Sequence, residues 1–337
     1  MSTHRCSYPQ NVNRQKTRRH FPPIERRIEP VCNFPTVVRA LQTYAVYRNY
    51  MKDKDMVNPK RNRSEGWSHA KNSGHANETA IEYSLKEEPL NQLGYRLGKK
   101  GMSGEAKVGG KGEKSVPCIL GGKTKSKTDL KIIWNDGSIS NISIKKSLGG
   151  QAFLIGTERF IDGFERHFTT IPKGVKKALR LYIGGPEVKP VLKEIPATGT
   201  DLREYELRKG RMVWDTLRTY DCGLAAELLS WSRLNVGSIT RFCFSRGLAR
   251  DESDWASHIW YKNLIGENNT DELFNIDDLV ATAGMAIDRV APGPKNGGST
   301  ILFPFGFLQW HQKKMQFHHG FESISECLIL GTKPKSK

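Results

Sequence analysis

The sequence lacks the features that define several classes of protein. No apolar run reaches the ~18 residues of a membrane span, and the N-terminus has no apolar signal-peptide core. The six cysteines are scattered without CxxC spacing, which argues against a zinc site and a disulfide framework. The Gly- and Lys-rich stretch 94–127 has no complete phosphate-loop motif, because Lys114-Ser115 follows Glu113 rather than glycine. We therefore expect free thiols, no membrane partner, no nucleotide cofactor and a cytoplasmic location.

The chain has more basic than acidic residues. Its formal net charge is +18 and its pI is about 9.6, and the basic residues are spread along all 337 positions. Such a distribution is typical of proteins that lie against nucleic-acid phosphates, although ribosomal, membrane-surface and heparin-binding proteins share it. The charge favours nucleic acid as the partner, and the length allows a sizeable core plus a recognition region.

The stretch 127–146, KTDLKIIWNDGSISNISIKK, predicts a β-hairpin around Asn135-Asp136-Gly137. In a three-residue loop with Gly137 left-handed, Asp129 lies opposite Ser143, and Ser143 and Lys145 project on the same face beside it. A two-residue loop would shift the pairing by one residue and separate them. The prediction of an Asp and Lys cluster therefore depends on the turn.

A second pattern lies upstream, in the helix predicted over 74–85. Ile81 and Leu85, four residues apart, are expected to face a sheet, while Glu78 and Glu82 form a second row at the same spacing. Either glutamate could equally belong to a solvated helix face.

Thr128-Asp129 followed by Ser143-Ile144-Lys145 resembles the PD-(D/E)xK nuclease superfamily, and especially its type II restriction endonuclease branch. The resemblance covers about 74–168. It implies an α/β core with a mixed central sheet, and a Mg²⁺ site in which Asp129 and Glu78 or Glu82 are ligands. It also implies that Lys145 orients or activates water and stabilises the charged phosphate.

Ser143 departs from the family pattern, because it stands where the family has a second carboxylate. Hard cations prefer oxygen ligands with charge, and a hydroxyl supplies at most a hydrogen bond or a water-mediated contact. Glu78, and after it Glu82, is the expected source of the missing carboxylate.

The remaining chain is divided by composition. We expect a basic appendage over 1–70 with a helix at 34–50, a catalytic core over 71–195, a helical subdomain over 196–290, a β-hairpin segment over 291–330 and a basic tail over 331–337. In the core, periodicity predicts a helix over 151–168 and a strand over 178–185. The segment 182–184 (YIG) also resembles half of a GIY-YIG nuclease motif, but no partner half precedes it.

Helical spacing is predicted for five segments of the subdomain, 201–220, 222–234, 238–248, 253–264 and 275–286. Ser253 and Asn275 are expected helix N-caps. The segment 237–246 has some character of a helix-turn-helix motif, and a plain helical subdomain is the alternative.

The C-terminal segment predicts two strands around Gln312-Lys313, rich in polar side chains beside aromatic ones. A two-stranded ribbon fits the major groove, where glutamine and basic side chains bind base edges. The predicted DNA-binding residues are Gln151, Gln309, His311, Gln316, His318 and His319. There are two alternatives to DNA binding by this segment. It could form a buried edge of the sheet, or its three histidines could bind a metal.

These patterns, with the resemblance, predict a Mg²⁺-dependent, site-specific endonuclease for double-stranded DNA, with Asp129, Lys145, Glu78 and Ser143 at its centre. The resemblance implies a homodimer acting on palindromes, a companion DNA methyltransferase, and the cytoplasm of a bacterial or phage-infected cell. Two alternatives stay open: a phage or homing endonuclease of the same fold, or a catalytically silent DNA-binding protein in which Ser143 replaces the carboxylate.

Overall fold

The computed structural model describes residues 63–86, 88–108, 115–196, 199–266 and 270–332. The chain divides into two compact units, 1–68 and 69–337, and the second contains every candidate residue. The helix predicted over 34–50 lies outside the described residues, as does most of the predicted basic appendage over 1–70. Within the described residues, no helix is both long enough and apolar enough to cross a membrane.

In the first half of the described chain, two helices are followed by six strands and then by three helices. In order they are α1 (Arg63–Ser84), α2 (Glu88–Arg96), β1 (Gly104–Val108), β2 (Val116–Pro117), β3 (Lys123–Thr124), β4 (Leu130–Trp134), β5 (Ile139–Lys145), β6 (Gly149–Gly156), α3 (Thr157–His167), α4 (Lys173–Ile183) and α5 (Val188–Glu194).

Helices dominate next, and strands return towards the C-terminus. The elements are α6 (Thr200–Lys209), α7 (Trp214–Tyr220), α8 (Cys222–Leu234), α9 (Val236–Arg241), a π-helical turn (Phe242–Arg246), β7 (His258–Lys262), β8 (Asp271–Asn275), α10 (Ile276–Met285), β9 (Ala291–Pro292), β10 (Thr300–Phe303), β11 (Gly306–His311), β12 (Lys314–Gly320) and α11 (Phe321–Thr332).

The first large sheet has the order β1-β4-β5-β7-β8 and is mixed, because β5 and β7 run parallel while the other pairs are antiparallel. One face of this sheet packs on α1. Ile81 and Leu85 are buried there against Leu130, Ile132 and Ile142. The predicted orientation of Ile81 and Leu85 and the α/β class with a mixed central sheet are confirmed.

The turn between β4 and β5 is the three-residue loop on which the site depends. Trp134 N donates to Ser138 O at 2.9 Å, and Gly137 has a φ of 79°. Ladder pairs such as Leu130 with Ile142 place Asp129 opposite Ser143. A non-glycine residue would be strained at this φ, so the Asp-Gly pair fixes the register.

The second large sheet is antiparallel throughout, in the order β6-β12-β11-β10-β9. The predicted hairpin around Gln312-Lys313 is confirmed, and both of these residues have positive φ, at 49° and 60°. Phe303, Leu308 and Phe317 on the inner face are buried in the main core with the helices. The outer face carries the polar side chains described below.

Three segments differ from the sequence prediction. Residues 151–156 belong to strand β6 instead of a helix, residues 178–183 to helix α4 instead of a strand, and residues 258–262 to strand β7 instead of a helix starting at Ser253. Helix α4 does have a polar face, with lysine and arginine at 173, 176, 177 and 180, and the strand was predicted from the mostly apolar residues 178–183 without this helical spacing. Strands β6 and β7 gain their partners from remote parts of the chain, which local periodicity does not show.

The helical region matches its prediction more closely. The predicted helix over 201–220 is two helices separated at 210–213, where Gly210 is left-handed, and the helix over 222–234 is confirmed. Asn275 caps α10 by accepting a hydrogen bond from Asp277 N at 2.7 Å, as predicted. Strand β7, from the same region, joins the first sheet.

Candidate active site

Asp129 lies immediately before β4, and its carboxylate is held by the neighbouring strand. Ile144 N donates to Asp129 Oδ2 at 2.8 Å, and Ser143 Oγ donates to the same oxygen at 3.1 Å. The hairpin register therefore not only brings Asp129 beside β5 but also fixes its rotamer. The Asp129 carboxylate is thus held by one backbone donor and one hydroxyl donor.

Lys145 completes a cluster on the same face of β5. Its Nζ donates to Ser143 Oγ at 2.7 Å and lies 3.9 Å from Asp129 Oδ2. The Ser143 hydroxyl accepts from the ammonium and donates to the carboxylate, so it connects the two charges. Ser143 is buried, while the Lys145 and Asp129 side chains are 16% and 20% exposed, so the cluster is reachable from solvent.

Lys127 is a further charged group at this site that the sequence argument did not single out. Its Nζ donates to Ala152 O at 2.9 Å and lies 3.5 Å from the centroid of the Phe153 ring. Burial is the main cause that lowers the pKa of Lys127 to about 7, and the positive charge of Lys145 adds to it. Its position two residues before Asp129, on the same side of an extended chain, was the available signal.

Helix α1 supplies the candidate glutamates. Asn77 donates to Lys262 O and accepts from Leu264 N, each at 2.8 Å, which anchors the helix to the end of β7. The neighbouring Glu78 pairs with His75 at 3.2 Å through Nδ1 and Oε2. This end of β7 is the one where Tyr261 pairs with Lys145.

Glu82 lies one turn further along α1. It lines a surface cavity together with Tyr83, Lys86, Leu90 and Glu105. Among the described residues, His, Cys, Asp and Glu side chains do not gather in any group of three that could hold a metal ion. The arrangement is therefore not a closed metal cage built by protein ligands.

The outer face of the second sheet carries four connected polar residues, which we call the glutamine face: Gln151, Gln309, Gln316 and His318. Gln309 Nε2 donates to Gln316 Oε1 at 2.7 Å, and Gln316 Nε2 donates to Gln151 Oε1 at 2.9 Å. Gln309 Nε2 also lies 2.9 Å from His318 Nε2. The chain of amides fixes the orientation of each side chain relative to its neighbours.

His318 is held as a neutral acceptor in this network. An amide nitrogen only donates, so His318 Nε2 accepts from Gln309. Burial, with a smaller effect of His311, lowers the pKa of His318, and its ring stacks on Phe307 with centroids 4.5 Å apart. His311 is two residues beyond Gln309 on β11, and therefore on the same face.

His319, in contrast, points to the opposite side of β12 from the glutamine face. It is buried, and its Nδ1 lies 2.7 Å from the hydroxyl of Tyr261, the residue that pairs with Lys145. Burial, followed by the charge of Lys145, lowers the pKa of His319 to about 3. The structure thus brings together Gln151, Gln309, Gln316 and His318, and places His319 between the two sheets.

Comparison with known proteins gives limited information. No family model matches the chain, and no curated protein matches it. Among the solved structures, the chain is similar to the restriction endonuclease MspI in complex with its cognate DNA, with 16% identity and a TM-score of 0.34. The similarity covers 72% of this chain and 83% of that chain. A similarity at this level does not identify a family, so the function has to be inferred from the residues of the site.

Proposed function

We propose that the protein is a metal-dependent endonuclease that cleaves double-stranded DNA at specific sites, in the manner of a type II restriction enzyme. The observation that carries the proposal is the cluster of Asp129, Ser143 and Lys145, in which an ammonium group lies 2.7 Å from a hydroxyl and 3.9 Å from a carboxylate at a solvent-reachable hairpin end. The net charge of +18 supports a polyanionic substrate.

The cluster has the groups that hydrolysis of a phosphodiester requires. Water attacks the phosphorus, the bond from phosphorus to a sugar oxygen breaks, and negative charge accumulates on the phosphate oxygens. Lys145 would stabilise that charge and orient the attacking water, because its ammonium is held by Ser143 instead of moving freely in solvent. Asp129 would accept hydrogen bonds from the water or bind the metal.

A divalent ion fits this donor set if water and the substrate complete its shell. Mg²⁺ is usually bound by one or two carboxylates with several waters and phosphate oxygens, and not by a cage of protein ligands. Asp129 would be the first carboxylate, and Glu78, or else Glu82, the second. The bound ion would polarise the scissile phosphate and lower the pKa of a bound water. Ser143 would hold Asp129 and Lys145 in place.

The glutamine face would contact the bases. Glutamine binds adenine with two hydrogen bonds in the major groove, and the fixed amide network presents donors and acceptors in a defined pattern. We extend the proposal to a homodimer on a palindromic site, a companion methyltransferase that protects host DNA, and the cytoplasm of a bacterial or phage-infected cell. A phage or homing endonuclease would share the chemistry and differ in the length of its site.

A second candidate function is specific DNA binding without cleavage. The observation that favours it is Ser143, since a buried hydroxyl stands where the resembling nucleases have a carboxylate. In that case the charge and the glutamine face would serve binding alone.

Digestion of unmethylated phage DNA separates these functions. Wild type, Lys145→Met and Asp129→Asn would each be incubated with Mg²⁺ and with EDTA, and salt-dependent binding would be measured in parallel. Lys131→Met is the matched control, because it removes the same charge from the same hairpin at a residue paired with Asp254. We expect discrete fragments from wild type and Lys131→Met with Mg²⁺ only.

Two outcomes would contradict the proposal. Fragments from Lys145→Met at the wild-type rate would exclude the hairpin as the cleavage centre. Tight, salt-sensitive binding without any cleavage by wild type would establish the silent binding protein. The length of the recognised site, mapped from the fragments, would distinguish a restriction enzyme from a homing enzyme.

A further inference from the structure

Lys145 of the catalytic cluster and Gln151 of the glutamine face lie on one continuous piece of chain. Strand β5 ends at Lys145 in the first sheet, and β6 begins at Gly149 in the second, so only residues 146–148 separate them. The corner is itself bonded, since Ser147 Oγ donates to Gly149 O at 2.8 Å and Phe321 N donates to Leu148 O at 2.7 Å. A shift of β6 would therefore be transmitted towards Lys145.

A β-bulge in β6 determines where Gln151 points. Phe317 pairs with Phe153, but His318 pairs with Gln151, so Ala152 is an extra residue in the ladder. In a regular strand Gln151 and Phe153 would lie on the same face. The bulge instead sends Phe153 into the core, 5.5 Å from the Phe242 ring, and Gln151 to the outer face, where it accepts from Gln316.

Lys127 holds this bulge from the catalytic side. Its ammonium donates to Ala152 O at 2.9 Å, the carbonyl of the extra residue, and lies over the ring of Phe153, the residue that the bulge turns inward. Only Thr128 separates Lys127 from Asp129. One side chain therefore connects the segment that carries the carboxylate to the backbone that orients Gln151.

We propose that Lys127 is a positioning residue that couples base recognition on the glutamine face to cleavage at Asp129 and Lys145, by holding the Ala152 bulge at a fixed distance from the catalytic hairpin. The inference rests on the proposed function and deepens it.

A second contact supports the same corner from the other side. Tyr261, which pairs with Lys145 in the first sheet, bonds His319 in the second sheet, and His319 pairs with Gly150. The segment around Gln151 is thus held on both flanks, and Lys127 is the contact that reaches the bulge itself. Removing the Lys127 ammonium should loosen the bulge without separating the two sheets.

The test compares Lys127→Met with wild type in cleavage of the mapped site and of sites with one base pair changed. Methionine is one atom shorter than lysine, so it keeps most of the apolar side chain beside Phe153 but cannot donate to Ala152 O. We expect the ratio of kcat/KM for the correct site over the altered sites to fall about tenfold, since small misplacements of positioned groups have effects of this size or larger. Lys123→Met, an exposed lysine of β3, removes the same charge and should keep the wild-type ratio.

A double-mutant cycle separates coupling from general damage. Gln151→Ala alters an exposed side chain, so it should fold normally, and it should lower the same ratio. If Lys127 acts through Gln151, adding Lys127→Met to Gln151→Ala should change the ratio little further. If the double variant lowered the ratio of kcat/KM by the product of the two single effects, the inference would be overturned. A ratio in Lys127→Met equal to that of wild type would also overturn it.

Hydrogen exchange distinguishes failure of the coupling through Lys127 from failure of the proposed function. Amides of 149–156 should exchange faster in Lys127→Met than in wild type or Lys123→Met, whether or not DNA is cleaved. Unchanged exchange in this segment would refute the structural link. Absence of specific cleavage by wild type would overturn the proposed function, and the coupling with it, even where exchange had changed.

Discussion

The Ser143 hydroxyl provides the sharpest test of the site, because it contacts both charges and takes no direct part in bond cleavage. Ser143→Ala removes the 2.7 Å hydrogen bond from Lys145 and the 3.1 Å hydrogen bond to Asp129, while Ile144 N still donates to the carboxylate. Lys145 would keep its hydrogen bond to Ile144 O at 3.3 Å and its contact at 3.9 Å with Asp129. The variant thus removes the shortest hydrogen bond of the ammonium and keeps its charge.

The size of the effect follows from the strength of that hydrogen bond. A hydrogen bond to a charged group contributes about 1.5–3 kcal/mol. If the position of Lys145 matters fully in the transition state, the cleavage rate should fall by roughly 10- to 150-fold, at 1.36 kcal/mol for each factor of ten. The free energy of unfolding should fall by only about 1 kcal/mol, because water can reach the ammonium.

The assay is single-turnover cleavage, with enzyme in excess, of a duplex carrying the mapped site. Ser140→Ala is the matched control, since Ser140 is a buried serine on the same strand whose hydroxyl accepts from Trp134 Nε1 at 2.9 Å. It leaves a buried donor unpaired, so it should lower stability by about 1–3 kcal/mol without slowing cleavage. Ser143→Ala should show the opposite pattern.

Two results would refute the reasoning about Ser143. One is cleavage by Ser143→Ala within about twofold of wild type, a difference too small for a lost hydrogen bond to a charge. The other concerns the double variant. A hydroxyl that acts by holding Lys145 has no role once the ammonium is gone, so Ser143→Ala should not slow Lys145→Met further; a slowing as large as the one it causes in wild type would refute the reasoning.

Three further predictions concern ionisable groups. Glu78→Gln should raise the Mg²⁺ concentration for half-maximal cleavage at least about tenfold, whereas an effect confined to Glu82→Gln would assign the second carboxylate to Glu82. The pKa of Lys127 falls from 10.5 to about 7 on folding, so between these pH values the unfolded chain binds a proton that the folded chain does not. The free energy of unfolding should therefore rise with pH across that range, and the urea midpoint of Lys127→Met should not show this rise. The pKa of His319 falls from 6.5 to about 3, so stability should decrease as pH falls through that range, and an equally steep decrease in His319→Asn would exclude this histidine as the cause.

Local signals in the sequence were sufficient for the hairpin and for the helix that packs on it. The Asp-Gly pair in the loop required a left-handed glycine, and the alternation on either side fixed which residues face each other. The spacing of Ile81 and Leu85 identified the buried side of α1. These features depend on residues that are close in sequence, so they could be predicted, and with them the meeting of Asp129, Ser143 and Lys145.

Pairing between strands that are remote in sequence decided the two strands, β6 and β7, that were wrongly predicted as parts of helices. Residues 258–262 form a strand because they lie parallel to β5, which is more than a hundred residues earlier, and a strand buried by its neighbours shows no alternation. Residues 151–156 form a strand because β12 pairs with them. No window of local sequence contains these partners.

The sequence by itself determined the place of the hairpin, the charge, and the residue types near its open end, because backbone conformation and side-chain alternation act over a few residues, but it left both a two-residue and a three-residue loop open. The tertiary structure decided that Ser143 connects Asp129 to Lys145, that His319 turns away from the glutamine face, and that Lys127 reaches the bulge in β6. Each of these depends on two strands from different parts of the chain meeting at a particular register. Such a register is set by the packing of the whole core and not by any one segment.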